Sequence, residues 1–190
     1  MNSNETALLV MDVQGSIVKN LNEKAKDYLD KVQKAVDYAH QNNIQVIFIV
    51  VRFRHGYPEV SPYNKMFASI KDRFKDSAMD EENESTQPVL KTIDKDIIIT
   101  KKRISAFAGN DLSMLLRARN IKKLILSGIS TSGVVLSTLR YAADQDFSLS
   151  VLSDCCADQD EEVHRVLIEK IFPRQAEVIS LNQWINGVEE

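Results

Sequence analysis

The chain has 190 residues, 44% of them apolar and 27% charged, a length that fits one domain spanning 1–190 and able to bury about two-thirds of its unfolded surface without a disulfide or metal staple. With 24 basic against 27 acidic side chains the net charge is -3, so no basic field exists to gather phosphates, and neither nucleic acid nor a membrane surface is expected as a partner. The longest apolar run, Ile44 to Val51, contains Gln45 and falls far short of the roughly 20 residues that span a bilayer.

Thr6 to Met11 is a continuous apolar run, the signature of a strand buried on both faces, and Asp12 stands just past its end. No leader pattern precedes it, and a cytoplasmic protein is expected. From Glu23 to Gln41, Ala25, Leu29, Val32, Val36 and Ala39 draw one apolar stripe along a helix that ends at Asn42 and Asn43. A second buried strand follows at Ile44 to Val51, and Asp96 to Thr100, Lys123 to Leu126 and Ser148 to Leu152 repeat the type. Helices are predicted from Asn110 to Arg119, from about Ser132 to Ala143 and from Asp160 to Phe172. Alternation of this kind predicts a three-layer, Rossmann-like α/β fold, with a central parallel sheet of about six strands and helices on both faces. Ligands then collect outside the carboxyl ends of the strands. The stretch from Phe53 to Asp94 breaks the pattern with prolines and the acidic run at 79–85. It reads equally as a lid or as a solvated excursion with a short helix around Met66 to Phe74.

Charged residues at strand ends are the first candidates for chemistry. Asp12 would be partly buried there, where a carboxyl pKa rises toward usefulness in proton transfer; alone, the plainer reading is a carboxylate holding backbone amides. Lys101 ends the third strand in the same way, and on neighbouring parallel strands the two would converge on one crevice. Gly128 to Thr138 (GISTSGVVLST) runs from a strand into a helix, and its small residues let backbone amides face developing negative charge. His40, His55 and His164 show no metal-ligand spacing and read as surface histidines, so no metal or other cofactor is expected. Cys155 and Cys156 are adjacent, which disfavours a disulfide; as reduced thiols beyond a strand they read chiefly as small core hydrophobes.

Together these segments resemble the isochorismatase-like family, which includes cysteine hydrolases of nicotinamide and related small amides. ALLVMDVQGSIV at 7–18 is similar to the family's opening strand, KKRISAFAGNDL at 101–112 to its lysine segment, GISTSGVVLST at 128–138 to its nucleophile loop, and SVLSDCCAD at 150–158 to the strand that follows. The resemblance implies catalytic roles for Asp12 and Lys101. It implies substrate-binding roles for Gln14, Ile17, Arg103, Phe107, Ser130, Thr131 and Val134, with Ile17 and Phe107 as apolar walls. It also implies a cis peptide at Ile129-Ser130, an anion hole from the amides of Ser130 and Val134, and a homo-oligomer, to which the aromatic content around Tyr57 to Phe67 would contribute. The family's cysteine falls six residues beyond the loop glycine, at Val134, and a valine can neither attack a carbonyl nor form a thioester. The expected function is therefore a hydrolase of a small metabolite working by acid-base chemistry with water. The alternatives are a catalytically inactive member that binds a small molecule or protein, and a displaced nucleophile at Cys155 or Cys156.

Overall fold

The computed structural model describes residues 3–73 and 83–187. Six strands, β1 (Thr6–Met11), β2 (Gln45–Val51), β3 (Ile97–Lys101), β4 (Lys123–Ile129), β5 (Ser148–Ala157) and β6 (Glu177–Ile179), form one sheet in the order β3-β2-β1-β4-β5-β6. Every neighbouring pair is parallel. The helices are α1 (Gly15–Val18), α2 (Ala25–Gln41), α3 (Lys65–Arg73), α4 (Leu112–Ala118), α5 (Leu136–Ala143), α6 (Glu161–Val166) and α7 (Leu181–Asn186). The chain winds from β1 outward to β3, then returns to the other side of β1 for β4. The strand order therefore reverses between β1 and β4, which opens a crevice at their carboxyl ends.

Residues alternate across the sheet. Leu8, Val10, Val46 and Phe48 face α2 and α7, while Leu9, Met11, Ile47 and Ile49 face α4 and α5. Each of these side chains is at most 1% exposed, and burying one contributes about 1.5–3 kcal/mol. The central strands thus carry apolar side chains at nearly every inner position because both faces are covered, with buried Ser127 satisfied by donating to the Leu9 carbonyl. β3 departs from that expectation: it is an edge strand, and its Ile98 is 44% exposed.

The segment after β2 does not lie loosely on the surface. Phe53, Tyr57 and Phe67 bury one another in a small core of their own, so much of the aromatic content expected to mediate association turns inward; Tyr63 and Met66 remain exposed. The expected short helix is α3, with Phe74 and residues 79–82 of the acidic run outside the described residues. Past them the chain returns to the end of β1, where Gln14 bridges Pro88 and the Val89 amide donates to the Val13 carbonyl.

Gln14 holds this junction. Fully buried, it donates to the carbonyls of Val51 and Thr86, at 3.2 and 2.5 Å, and accepts from the Val51 amide at 2.8 Å. Replacing it with Leu would take a partner from the Val51 amide and carbonyl, while the Thr86 carbonyl keeps the Arg52 Nε donor, and leaving buried backbone groups unsatisfied costs about 1–3 kcal/mol apiece before relaxation. Gln14→Leu is expected to lower stability by at least about 2 kcal/mol in urea unfolding.

Candidate active site

The crevice between β1 and β4 deepens into a cavity of about 630 Å³. Asp12 enters it from the end of β1 with φ of 58°, a left-handed conformation that Asp tolerates better than most residues, and its amide donates to the Ile49 carbonyl. Lys101 enters from the end of β3. β2 lies between their strands, so the expectation that they sit on neighbouring strands is corrected: the lysine's four-carbon stem crosses the end of β2 to meet the carboxylate. Its Nζ lies 2.8 Å from Asp12 Oδ2 and donates to the Arg103 carbonyl at 3.0 Å.

This pair is almost dry, with Asp12 6% and Lys101 2% exposed. Burial raises the Asp12 pKa above the usual carboxylate range, and the charge and hydrogen bond of Lys101 oppose that rise without cancelling it. Asp12 Oδ1 is buried with no hydrogen-bond partner. A carboxylate that borders a cavity, with one oxygen held by an ammonium and the other free of partners, has the chemistry of a proton donor or acceptor.

The opposite side comes from β4. At Gly128, φ is 151° and an added Cβ would stand 2.4 Å from the Met11 carbonyl oxygen. Only glycine lets the two backbones close so tightly, and this brings the loop after β4 beside Asp12. The Ile129-Ser130 peptide is cis, and Thr131–Val135 forms a π-helical turn leading into α5. Ser130, Gly133 and Val134 line the cavity, and Val134 is 2% exposed. Two bonds tie this turn to the next segment: the Ser132 amide donates to Asp158 Oδ2, and Thr131 Oγ1 lies 2.8 Å from His164 Nδ1. His164 is therefore a buttress of the loop and not the surface histidine expected; its burial holds its pKa below the ordinary value. His40 is likewise engaged, bonded to the buried Asp96 at 2.8 Å. That pair borders a second hollow of about 680 Å³ at the amino ends of the strands, remote from the Asp12–Lys101 pair.

Of the expected site residues, Asp12, Ile17, Lys101, Ser130 and Val134 line the main cavity. Gln14, Arg103, Phe107 and Thr131 stand behind it. Gln14 clamps strand ends as described, and the Arg103 guanidinium donates to the carbonyls of Lys102 and Glu59. Phe107 packs against Tyr141 and Phe147 in the main core instead of walling the cavity. Thr131 is fully buried against His164. Residues without a signal in the sequence add to the lining, among them Ser16 on α1, Met66, Phe67 and Ile70 on α3, Ile104, and Asp158. Among the described residues, no three His, Cys, Asp or Glu side chains converge as a metal site requires.

Cys155 and Cys156 lie within β5, not beyond it, on a stretch where the register with β4 shifts between Leu126 and Gly128. Their side chains enter opposite cores, and neither lines the cavity. Burial pushes both thiols up, that of Cys156 to about 12, which removes the thiolate that a displaced nucleophile would need. Both are expected to react with a disulfide reagent at neutral pH only on unfolding. Prompt labelling of either in the native protein would contradict this burial.

The fold is a parallel α/β sheet whose strand order reverses between β1 and β4, with the carboxylate–ammonium pair and the tight glycine loop at that switch point. The Isochorismatase domain model matches residues 6–183, and the chain belongs to the isochorismatase family. It is 30% identical over 191 residues to the uncharacterized isochorismatase family protein YecD of Escherichia coli O157:H7, covering 99% of this chain and 98% of that one. It is 31% identical over 192 residues to the ureidoacrylate amidohydrolase RutB of Acinetobacter baylyi, covering 88% and 77%. Among solved structures, a cysteine hydrolase from Pseudomonas syringae superposes with a TM-score of 0.88 at 20% identity, over 98% of this chain and 93% of that one. No helix among the described residues is long and apolar enough to cross a membrane.

Proposed function

We propose that the chain is a hydrolase of a small metabolite that works at the Asp12–Lys101 cavity by acid-base chemistry, with water as the nucleophile. The observation that carries this reading is the dry Asp12–Lys101 pair, whose residues line the cavity, with one carboxylate oxygen held by the ammonium and the other buried without a partner. On an amide, Asp12 takes a proton from water as the water oxygen attacks the carbonyl carbon. It then returns the proton to the departing nitrogen as the C–N bond breaks. Lys101 keeps enough charge beside the carboxylate for it to ionise, and the amides of Ser130 and Val134 hold the developing oxyanion. Ile17 packs against the body of the substrate. Gln14, Arg103, Phe107 and Thr131 keep these groups in place from behind. That relatives include an amidohydrolase supports the reaction class.

Val134 favours a second reading, a member that binds a small molecule without turning it over, because the valine fills the place where the family resemblance puts a thiol. A panel of small amides and vinyl ethers separates the two. Turnover that falls about 10²–10⁴-fold in Asp12→Asn supports the hydrolase. A compound that stabilises the protein thermally yet survives incubation unchanged supports the binder. Because burial raises the Asp12 pKa, activity with Asp12 as base should rise with pH along a limb displaced above the ordinary carboxylate range.

The reading includes a cytoplasmic setting, which suits two unpaired thiols, and a homo-oligomer for which exposed Tyr63 and Met66 are candidate contacts. Sedimentation velocity showing only monomer at working concentration would remove the oligomer.

A further inference from the structure

Two kinds of residue line the main cavity beyond the Asp12–Lys101 pair. The charged ones are Lys19, Arg73 and Asp158. Asp158 Oδ2 accepts from the Ser132 amide, and Lys19 and Arg73 are each engaged within the protein. With Lys101 held by Asp12, every charged side chain of the lining among the described residues already has a partner. The apolar residues come from separate parts of the chain: Ile17 of α1, Leu21, Met66 and Ile70 of α3, Ile104 and Ile129. Leu21 and Ile129 are buried, whereas Met66 and Ile104 stay exposed although both border the cavity. Met66 and Ile70, four residues apart, share one face of α3. Phe67 between them is buried and packs edge-on against Phe53, so the helix is anchored by one side chain while two others are left for a ligand to cover.

We infer, resting on the hydrolase reading, that the substrate's body beyond the reacting carbonyl is apolar and carries no ionised group, and that Met66 and Ile70 are the residues that set this preference. A second carboxylate brought against this wall would shed its hydration, and a charge buried without a partner is the costliest of transfers. To find a partner it would first have to displace the one that Lys19 or Arg73 already holds. A methylene in the same place is favoured instead, by roughly fourfold in affinity for each one fully buried. Discrimination therefore comes from both sides, attraction for the apolar chain and a desolvation penalty against the anion. Neither Met66 nor Ile70 can take or give a proton, so their replacement should change which amides are held and not how a held amide reacts.

The test titrates the full chain, by ligand-observed NMR, with hexanamide and with adipamate, the same amide in which a carboxylate replaces the terminal methyl. If either is turned over, kcat/KM takes the place of the dissociation constant. Hexanamide is expected to bind at least about tenfold more tightly than adipamate. Met66→Ala and Ile70→Ala, made singly, should each weaken hexanamide about 4-fold, the worth of one buried methylene, and leave adipamate unchanged. Met66→Lys, at an exposed position that tolerates charge, should weaken hexanamide similarly and strengthen adipamate about 2- to 5-fold, the range of an exposed ion pair. Adipamate bound as tightly as hexanamide, hexanamide undetected at its solubility limit, or alanine variants that weaken both amides equally would each overturn the assignment. The hydrolase reading fails separately: a preference for hexanamide without turnover keeps the substrate class and favours the binder. Turnover of adipamate ahead of hexanamide keeps the hydrolase and removes the substrate class.

Discussion

Lys101→Met is expected to destabilise the protein by about 3–5 kcal/mol, the usual consequence of removing one partner from a buried ion pair and leaving the other uncompensated. The methionine fills most of the space of the lysine stem, so the loss measures charge more than packing. It should also depend on pH, with a definite sign. Burial already raises the Asp12 pKa above its ordinary value near 3.8, and Lys101 is what restrains the rise. Without the lysine, the folded-state pKa moves further above the unfolded one. The stability of the variant is then full below about 3.8 and is lost as pH climbs through the folded-state value. Urea unfolding at mildly acidic and at neutral pH should therefore show a smaller deficit in acid. The double variant Asp12→Asn/Lys101→Met leaves no buried charge, and asparagine suits the positive φ at position 12. Most of the stability should return while activity does not. A double variant as unstable as Lys101→Met alone would mean that the pair contributes through shape instead.

Val134→Cys carries the second large effect. The swap removes little volume, and cysteine is at home in apolar surroundings, so the variant should fold with a loss under about 1.5 kcal/mol. The new thiol would lie in the turn that opens into α5, in the same cavity as Lys101. Both the positive helix end and the ammonium favour the thiolate. If they bring its pKa from about 8.5 to about 7, the reactive fraction at neutral pH rises roughly 15-fold. The measurement is the pH dependence of alkylation against free cysteine, with the unsubstituted protein as background. A folded variant whose thiol is no more reactive than free cysteine would mean that the loop amides and Lys101 do not face position 134, and would favour the binding-protein reading.

Legibility from sequence varied with the kind of force at work. The central strands were plain because burial on both faces leaves unbroken apolar runs, as in Thr6–Met11 after its first residue and in the Leu-Ile-Leu run of Lys123–Ile129, whose end beyond Leu126 was hidden by Ser127 and Gly128. β6 was missed: it has three residues, and of these only Ile179 is buried. The helix after it was announced by Ser180 and Gln183, which form a capping box, a signal of the S-x-x-Q kind that a reading built on apolar stripes passes over. At the site, Asp12, Lys101 and the loop after Gly128 could be found because each ends a strand. Gln14, Arg103, Phe107 and Thr131 could not be assigned correctly in the same way, since whether a side chain reaches a cavity or braces it from behind depends on contacts tens of residues away in the chain. Gln14 meets Val51 and Thr86, and Thr131 meets His164. Ser16 carried no sequence signal at all; only the absence of a partner for its hydroxyl sets it apart.

The small core of Phe53, Tyr57 and Phe67 has an evolutionary corollary. The α3 wall of the cavity is anchored to these three rings, whereas Asp12, Lys101 and the loop after β4 are anchored to the sheet. Selection can therefore reshape the wall that meets the distal part of a substrate, through Met66 and Ile70, at a cost confined to one satellite cluster. The Asp12–Lys101 end rests mainly on the sheet, tied to that segment through the Arg103 turn that bonds Glu59. A scaffold divided in this manner can diversify its ligands by drift in the wall while the Asp12–Lys101 pair stays in place.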